Sequence, residues 1–324
     1  MSPQLILRAG AFAAALLTAA PAFADRLLVS NEKDNTITVV DEATLKIIAT
    51  IPVGARPRGI VLSKDGKSLF ICASDSDEVE ELDLATLKVV RTLESGPDPE
   101  NFDISLDGKT LFVALENDST VGFLDVASGK TVKAVPVGVE PEGMAVSPDG
   151  KTVVDTSETT SMAHFIDIAS GDVTANVLVD SRPRRATWTP DGKFVWVTSE
   201  VGGNVAVIDA VSHEVVHKIA FEIPGVTKDQ IEPVSMLITP EGNTAFVALG
   251  PANRVAVVNA KTYAVEKYLL VGQRVWNLAF SRDGSKVYTT NGISNDLSVI
   301  DVAARKVTKS IPVGGLPWGV VVAP

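Results

Sequence analysis

The chain has 324 residues, 29 Lys+Arg against 40 Asp+Glu, a formal net charge of −11 and one cysteine. The acidic balance argues against a nucleic-acid partner, which clustered Lys and Arg would have to hold. A single cysteine excludes an internal disulfide, a four-cysteine zinc site or an iron–sulfur cluster, and the absence of Cys-x-x-Cys-His excludes a covalently attached c-type haem.

Residues 1–24 read as a signal peptide. Arg8 is followed by the small, apolar run Ala9–Ala20, Pro21 breaks it, and Ala22-Phe23-Ala24 fits a small-x-small cleavage site before Asp25. The run is shorter than the ~20 residues of a membrane span, so the expectation is an exported, periplasmic protein with no membrane span.

Residues 25–324 read as one domain made of seven copies of one unit. Ser63-Lys64-Asp65-Gly66 returns with its acid at 107, 149, 191, 241 and 283. A second series runs through Pro57, Pro99, Pro141, Pro183, Pro233, Val275 and Pro317, and a third through Asp41, Asp83, Asp125, Asp167, Asp209, Asn259 and Asp301. The series share one step, except for an eight-residue insertion between His217 and Pro233. Repeats of this length are searched for first because they decide the architecture.

Each unit predicts four short strands, typified by Gly59–Ser63, Ser68–Ala73, Val79–Leu84 and Val89–Leu93. Asp-Gly suits the first hairpin, since Gly accepts positive φ and Asp bonds its own downstream backbone. Four strands in about 40–45 residues, repeated radially, make a β-propeller blade. The fold expected is therefore all-β: a seven-bladed β-propeller with four antiparallel strands per blade. Arg26–Ser30 matches a second strand and Gly319–Ala323 a first, so one blade closes the ring with strands from both termini.

The second strands Leu28-Val29-Ser30-Asn31, Trp196-Val197-Thr198-Ser199 and Tyr288-Thr289-Thr290-Asn291, with the Ser-Pro-Asp-Gly-Lys turn, resemble the repeat of the YVTN β-propeller family. The segments at 30–36, 56–60, 72–77, 157–160, 221–226, 248–253 and 271–276 look more narrowly like the propellers associated with pyrroloquinoline-quinone (PQQ)-dependent catabolism. That resemblance implies a context of alcohol or related substrate oxidation, with a periplasmic quinoprotein dehydrogenase or a solute-binding protein as partner.

The repeats also serve as an internal alignment. The Asp-Gly and Asp-x-Ala-Thr/Ser turns agree between copies and mark a structural rim. The link before each first strand and the connection between second and third strands differ, and both fall on the opposite rim, where variable loops commonly bind. The residues flanking the recurring proline are expected nearest the axis. Arg56, Arg58, Glu100, Asn101, Glu142, Arg184, Arg185, Arg274, Trp276, Asn277 and Trp318 are the candidate ligand- or partner-binding residues. Asp98, Glu140, Arg182 and Glu232 lie beside them, and Glu32, Glu116, Glu158 and Glu200 share one offset at the ends of second strands. Arginine forks grip carboxylates and indoles offer stacking faces, which suits a small anionic or aromatic ligand. The same charges equally suit pairing between adjacent blades. The insertion is a candidate flap or partner contact, and a tolerated surface loop is the alternative.

Other chemistry fails on spacing. His213-Glu214-Val215-Val216-His217 spells the zinc-peptidase motif, but it aligns with an outer strand. Residues four apart in a strand are roughly 13 Å apart, too far for one zinc ion with ligands at ~2.1 Å. No Gly-x-Ser-x-Gly elbow accompanies His164. Cys72 sits in an apolar strand, and Asp75, Asp77 and Glu78 lack a complete EF-hand spacing. No catalytic or metal site is assigned. The expected function is a non-catalytic binding or scaffold propeller. The alternatives are lactonase-like hydrolysis at the channel mouth, or direct retention of PQQ or a metal.

Overall fold

Seven four-stranded antiparallel sheets are arranged as blades in the computed structural model, which describes residues 25–324. The expected signal peptide lies outside the described residues. The first strands are Pro57–Leu62, Pro99–Ile104, Pro141–Val146, Pro183–Trp188, Ser235–Ile238, Val275–Phe280 and Pro317–Ala323, belonging to blades 2 to 7 and blade 1 in turn. Each packs against the first strand of the next blade, and Pro317–Ala323 meets both Val275–Phe280 and Pro57–Leu62, which closes the ring. The fold is a seven-bladed β-propeller. Five of the seven first strands begin at the proline itself, two residues earlier than the sequence suggested, whereas that of blade 6 begins at Ser235, after Pro233.

The agreed turns hold the blades in shape. In blade 2, Ser63 Oγ donates to Asp65 Oδ1 and accepts from the N–H groups of Lys67 and Ser68, while Gly66 takes φ 69°. The same bonds recur at Ser105 and Ser147, and Ser281 keeps those to Asp283 and from the Lys286 N–H. At the other turn of this rim, Asp41 Oδ1 accepts from the N–H and hydroxyl of Thr44, as Asp83 does from Thr86.

The core lies between blades. Phe112, Val121 and Phe123 of blade 3 pack with Met144, Val153 and Ile166 of blade 4. Trp196, Val205 and Val207 of blade 5 pack with Met236, Val247 and Ala256 of blade 6. Blade 1 is completed by the two chain ends, with Arg26 opposite Ala323, Leu27 opposite Val322, Leu28 opposite Val321 and Val29 opposite Val320. Arg26 adds bonds to the Pro324 carbonyl at 3.0 Å and to the Leu84 carbonyl of blade 2 at 2.8 Å.

One irregularity positions the channel mouth. Pairing of the first and second strands shifts just after the recurring proline, between Pro57 and Ile60, Pro99 and Phe102, Pro141 and Gly143, Pro183 and Arg185, and Val275 and Leu278. A bulge of this kind re-aims the side chains at it. Close approach at the bulge demands glycine in places: a Cβ on Gly59 would lie 2.8 Å from the Cα of Asn101 in the next blade.

Candidate functional site

The links into six of the seven first strands are bent the same way. Arg56, Asp98, Glu140, Arg182, Arg274 and Leu316 all adopt left-handed φ, between 48° and 60°. In four links the preceding blade fixes this bend. Asn35, Asp77, Asn253 and Asn295, at the ends of connections between second and third strands, accept from the N–H groups of Arg56, Asp98, Arg274 and Leu316 at 2.8–3.0 Å. The strained link and the bulge together bring the proline-flanking side chains into one layer around the axis.

That layer is a nearly continuous network of ion pairs. Arg58 binds Glu32 through Nε at 2.7 Å, also grips Glu100, and reaches Glu142 at 4.0 Å. Arg56 joins Asp75 at 2.9 Å, Glu100 at 2.6 Å and Asp98. Arg184 holds Glu142 at 2.9 Å, Glu158, and Glu200 at 3.7 Å. Arg182 bridges Glu158 at 2.8 Å and Glu200 at 3.1 Å, and Arg274 joins Glu200 at 2.6 Å to Glu232. The indoles are covered by the same arginines: Arg58 lies 5.1 Å from the Trp318 ring centre, and Arg274 and Arg184 lie 4.2 and 5.5 Å from that of Trp276. The pairing between blades that the sequence left open is realised, and the stacking faces expected for a ligand are largely taken by guanidinium groups.

Carboxylates outnumber arginines here, and the network shows it. Burial pushes the Glu158 carboxyl up to about 7, against the pull of Arg184 and with the push of Glu142. Burial also raises Glu116, helped by Glu142 and Asp98, and raises Glu232. Burial works against the Arg184 cation, but Glu142, Glu158 and Glu200 more than offset it and hold the group well above its ordinary value.

Beside the indoles is a small, partly open space lined by Asn101, Glu142, Arg184, Arg185, Val234, Trp276, Asn277 and Trp318. It has room for about one water. Seven of the eleven residues singled out from the sequence line it; Arg56, Arg58, Glu100 and Arg274 sit in the ion-pair layer instead. Val234 was missed, since the internal alignment gave no polar signal at that copy.

A model of the choice-of-anchor I domain matches residues 103–285, more than half of the chain. The chain belongs to the choice-of-anchor I domain family. A YNCE-like β-propeller model matches residues 4–102 of this choice-of-anchor I protein. No curated protein matches it in sequence. Among solved structures it is similar to hydrazine synthase from Kuenenia stuttgartiensis, with 24% identity over 86% of this chain and 92% of that one and a TM-score of 0.79. A Desulfotomaculum acetoxidans protein of unknown function gives 17% identity, coverage of 92% and 98%, and a TM-score of 0.79. A Bacteroides uniformis protein provisionally assigned as a 6-phosphogluconolactonase gives 15%, 93% and 100%, and 0.78. Likeness at these identities establishes the shared fold.

Outside the mouth, the choice-of-anchor I propeller places the remaining candidates in its frame. His213 lies in a turn at φ 58° and packs 4.7 Å from the Phe165 ring of blade 4, whereas His217 stacks at 4.5 Å on Tyr263 of blade 6. The two rings face different blades. His164 Nε2 accepts from the Gly138 N–H at 3.0 Å, its Nδ1 meets Asn176, and burial lowers its pKa. Cys72 is buried, and burial raises its thiol. Oxygens of Asp98, Glu100 and Glu116 lie within 4.8 Å of one another, a set suited to a hard cation, but Arg56 and Arg58 already grip Glu100. The insertion folds down onto blades 5 and 6: Phe221 and Ile231 are buried in their shared core, and the Glu222 N–H donates to the Tyr268 hydroxyl at 3.0 Å.

Proposed function

We propose that this protein is a non-catalytic docking propeller, exported to the periplasm, whose variable rim binds a component of PQQ-dependent oxidation. A quinoprotein dehydrogenase is the first candidate partner and a solute-binding protein the second. The observation that carries the reading is the self-paired mouth: all but one of its arginines are spent on its own carboxylates, and the space beside them takes about one water. What remains free to specialise is the rim surface. Each segment that carries the PQQ-linked resemblance includes residues of a connection on this rim, and most run on into the adjoining strand ends. Val139, Val201, Ile293 and Leu316 are exposed there, and Ile293 and Leu316 share a groove over Gly314 and Gly315.

The test is titration of the purified protein against a purified PQQ-dependent alcohol dehydrogenase and a periplasmic solute-binding protein. Binding is expected to one of them, to weaken in Ile293→Glu and Leu316→Glu, and to survive Lys193→Glu on the opposite rim. Failure to bind either partner, with the fold intact, overturns the reading. The hydrolase and cofactor alternatives have the Asp98, Glu100 and Glu116 oxygens in their favour. Lactone opening abolished by Glu142→Ala or Arg184→Ala, bound metal on elemental analysis, or a quinone absorption band would move the assignment to them.

A further inference from the structure

Arg185 is the one candidate arginine that the network leaves out. Its backbone N–H donates to Thr198 Oγ1, but none of its guanidinium N–H groups has an acceptor among the described residues. No carboxylate there lies within 4.0 Å of it. Asp103 and Glu142 attract it from farther away. Asp103 spends its two oxygens on the N–H groups of Ile104 and Val146, and Glu142 is gripped by Arg184.

A second donor on the same wall is also idle. The Trp318 indole N–H is buried, with the residue 4% exposed, and has no partner among the described residues. The Asn101 carbonyl oxygen accepts from Phe102, which leaves its amide N–H groups unused, and the Asn277 amide donates to the Trp318 carbonyl. A buried donor without an acceptor is costly, and the Trp318 N–H lines, with the free donors of Arg185 and Asn101, one space sized for a single small group. A water placed there could donate to the Asn277 oxygen and to Glu142, whose other carboxylate oxygen pairs with Arg184, but it could not accept from all three free donor groups at once. A monatomic anion accepts from all the donors and donates nothing.

We propose that the small space between Arg185, Trp318 and Asn101 is a binding site for one small monovalent anion of chloride size. The site is independent of the docking role, and the two are tested separately.

The probe is chloride itself, followed by the excess width of the ³⁵Cl resonance over the purified protein, with bromide-soaked crystals read by anomalous scattering. Wild-type protein should broaden the line saturably, and bromide should give a peak between the Arg185 guanidinium and Trp318 Nε1. Arg185→Met should abolish the saturable width and Trp318→Phe should weaken binding severalfold. Circular dichroism reports whether Arg185→Met has folded; if it has not, Trp318→Phe and the bromide peak decide. Equal widths in wild type and Trp318→Phe, or an ordered water with no bromide peak, overturn the proposal. Chloride broadening in a protein that binds neither partner would sink the docking role and leave this site standing.

Discussion

Asp155 departs from its own repeat more sharply than any other buried side chain in a second strand. Its counterparts are Val29, Ile71, Val113, Val197, Val247 and Thr289. One oxygen accepts from the Ser157 hydroxyl at 2.8 Å and the other is buried without a partner among the described residues. Burial pushes the carboxyl up to about 8; the Ser157 bond opposes this and Glu142 adds to it. The folded chain therefore keeps a proton that the unfolded chain loses near 3.8. Where the native state binds the extra proton, stability falls as pH rises, here from about 4 to 8, and is level above. Asp155→Asn should flatten that slope and raise the melting temperature at pH 8.5 while changing little at pH 4. Some slope will remain, because Glu158 titrates with the same sign up to about 7. A lower melting temperature for Asp155→Asn at pH 8.5 would contradict this account. The residue was legible in principle, since a lone Asp in an apolar column of the internal alignment is a visible signal. The unpartnered state of Arg185 was not, because it depends on which neighbouring carboxylates are already engaged.

At the scale of elements, the insertion is the clearest difference between length and role. Its eight extra residues can be counted from the repeat, but nothing in the count says whether they hang free. The structure tucks Phe221 and Ile231 into the core shared by blades 5 and 6, and Thr227 and Gln230 close a capping box around a short turn. The segment is therefore partly a wedge between blades. Phe221→Ala should cost roughly 3–5 kcal/mol, as for other buried Phe deletions, measured by urea unfolding. A cost under about 1 kcal/mol, the range of surface changes, would return the segment to a loose flap. The bulge behind each recurring proline escaped the sequence for a different reason. Register is set by pairing with the second strand, so the proline marks the place while the shift itself leaves no residue signature.

For the whole molecule, the repeat was enough to give blade number, strand number and closure, because three independent series shared one step. Removing Gly319–Pro324 should therefore damage more than one blade. It strips the inner partner from Arg26–Val29 and takes away the Arg26 bond to Pro324. The expected result is a large drop in the melting temperature and a broadened transition by calorimetry, and an unchanged trace would refute the closure argument. The channel mouth was only half legible. Its residues were identifiable from their place beside the proline, but arginines facing glutamates across blades read alike whether they wait for a ligand or satisfy one another.

The closing strand also sets an order of events in biosynthesis. Arg26–Asn31 leaves the ribosome among the first described segments, yet its inner neighbour is among the last to be made. At about 5–20 residues per second, the nascent chain carries that unpaired edge for on the order of 15–60 s. An open edge held that long invites pairing with other chains, so holding factors that shield the early strands should raise the yield of native protein more than factors acting after release.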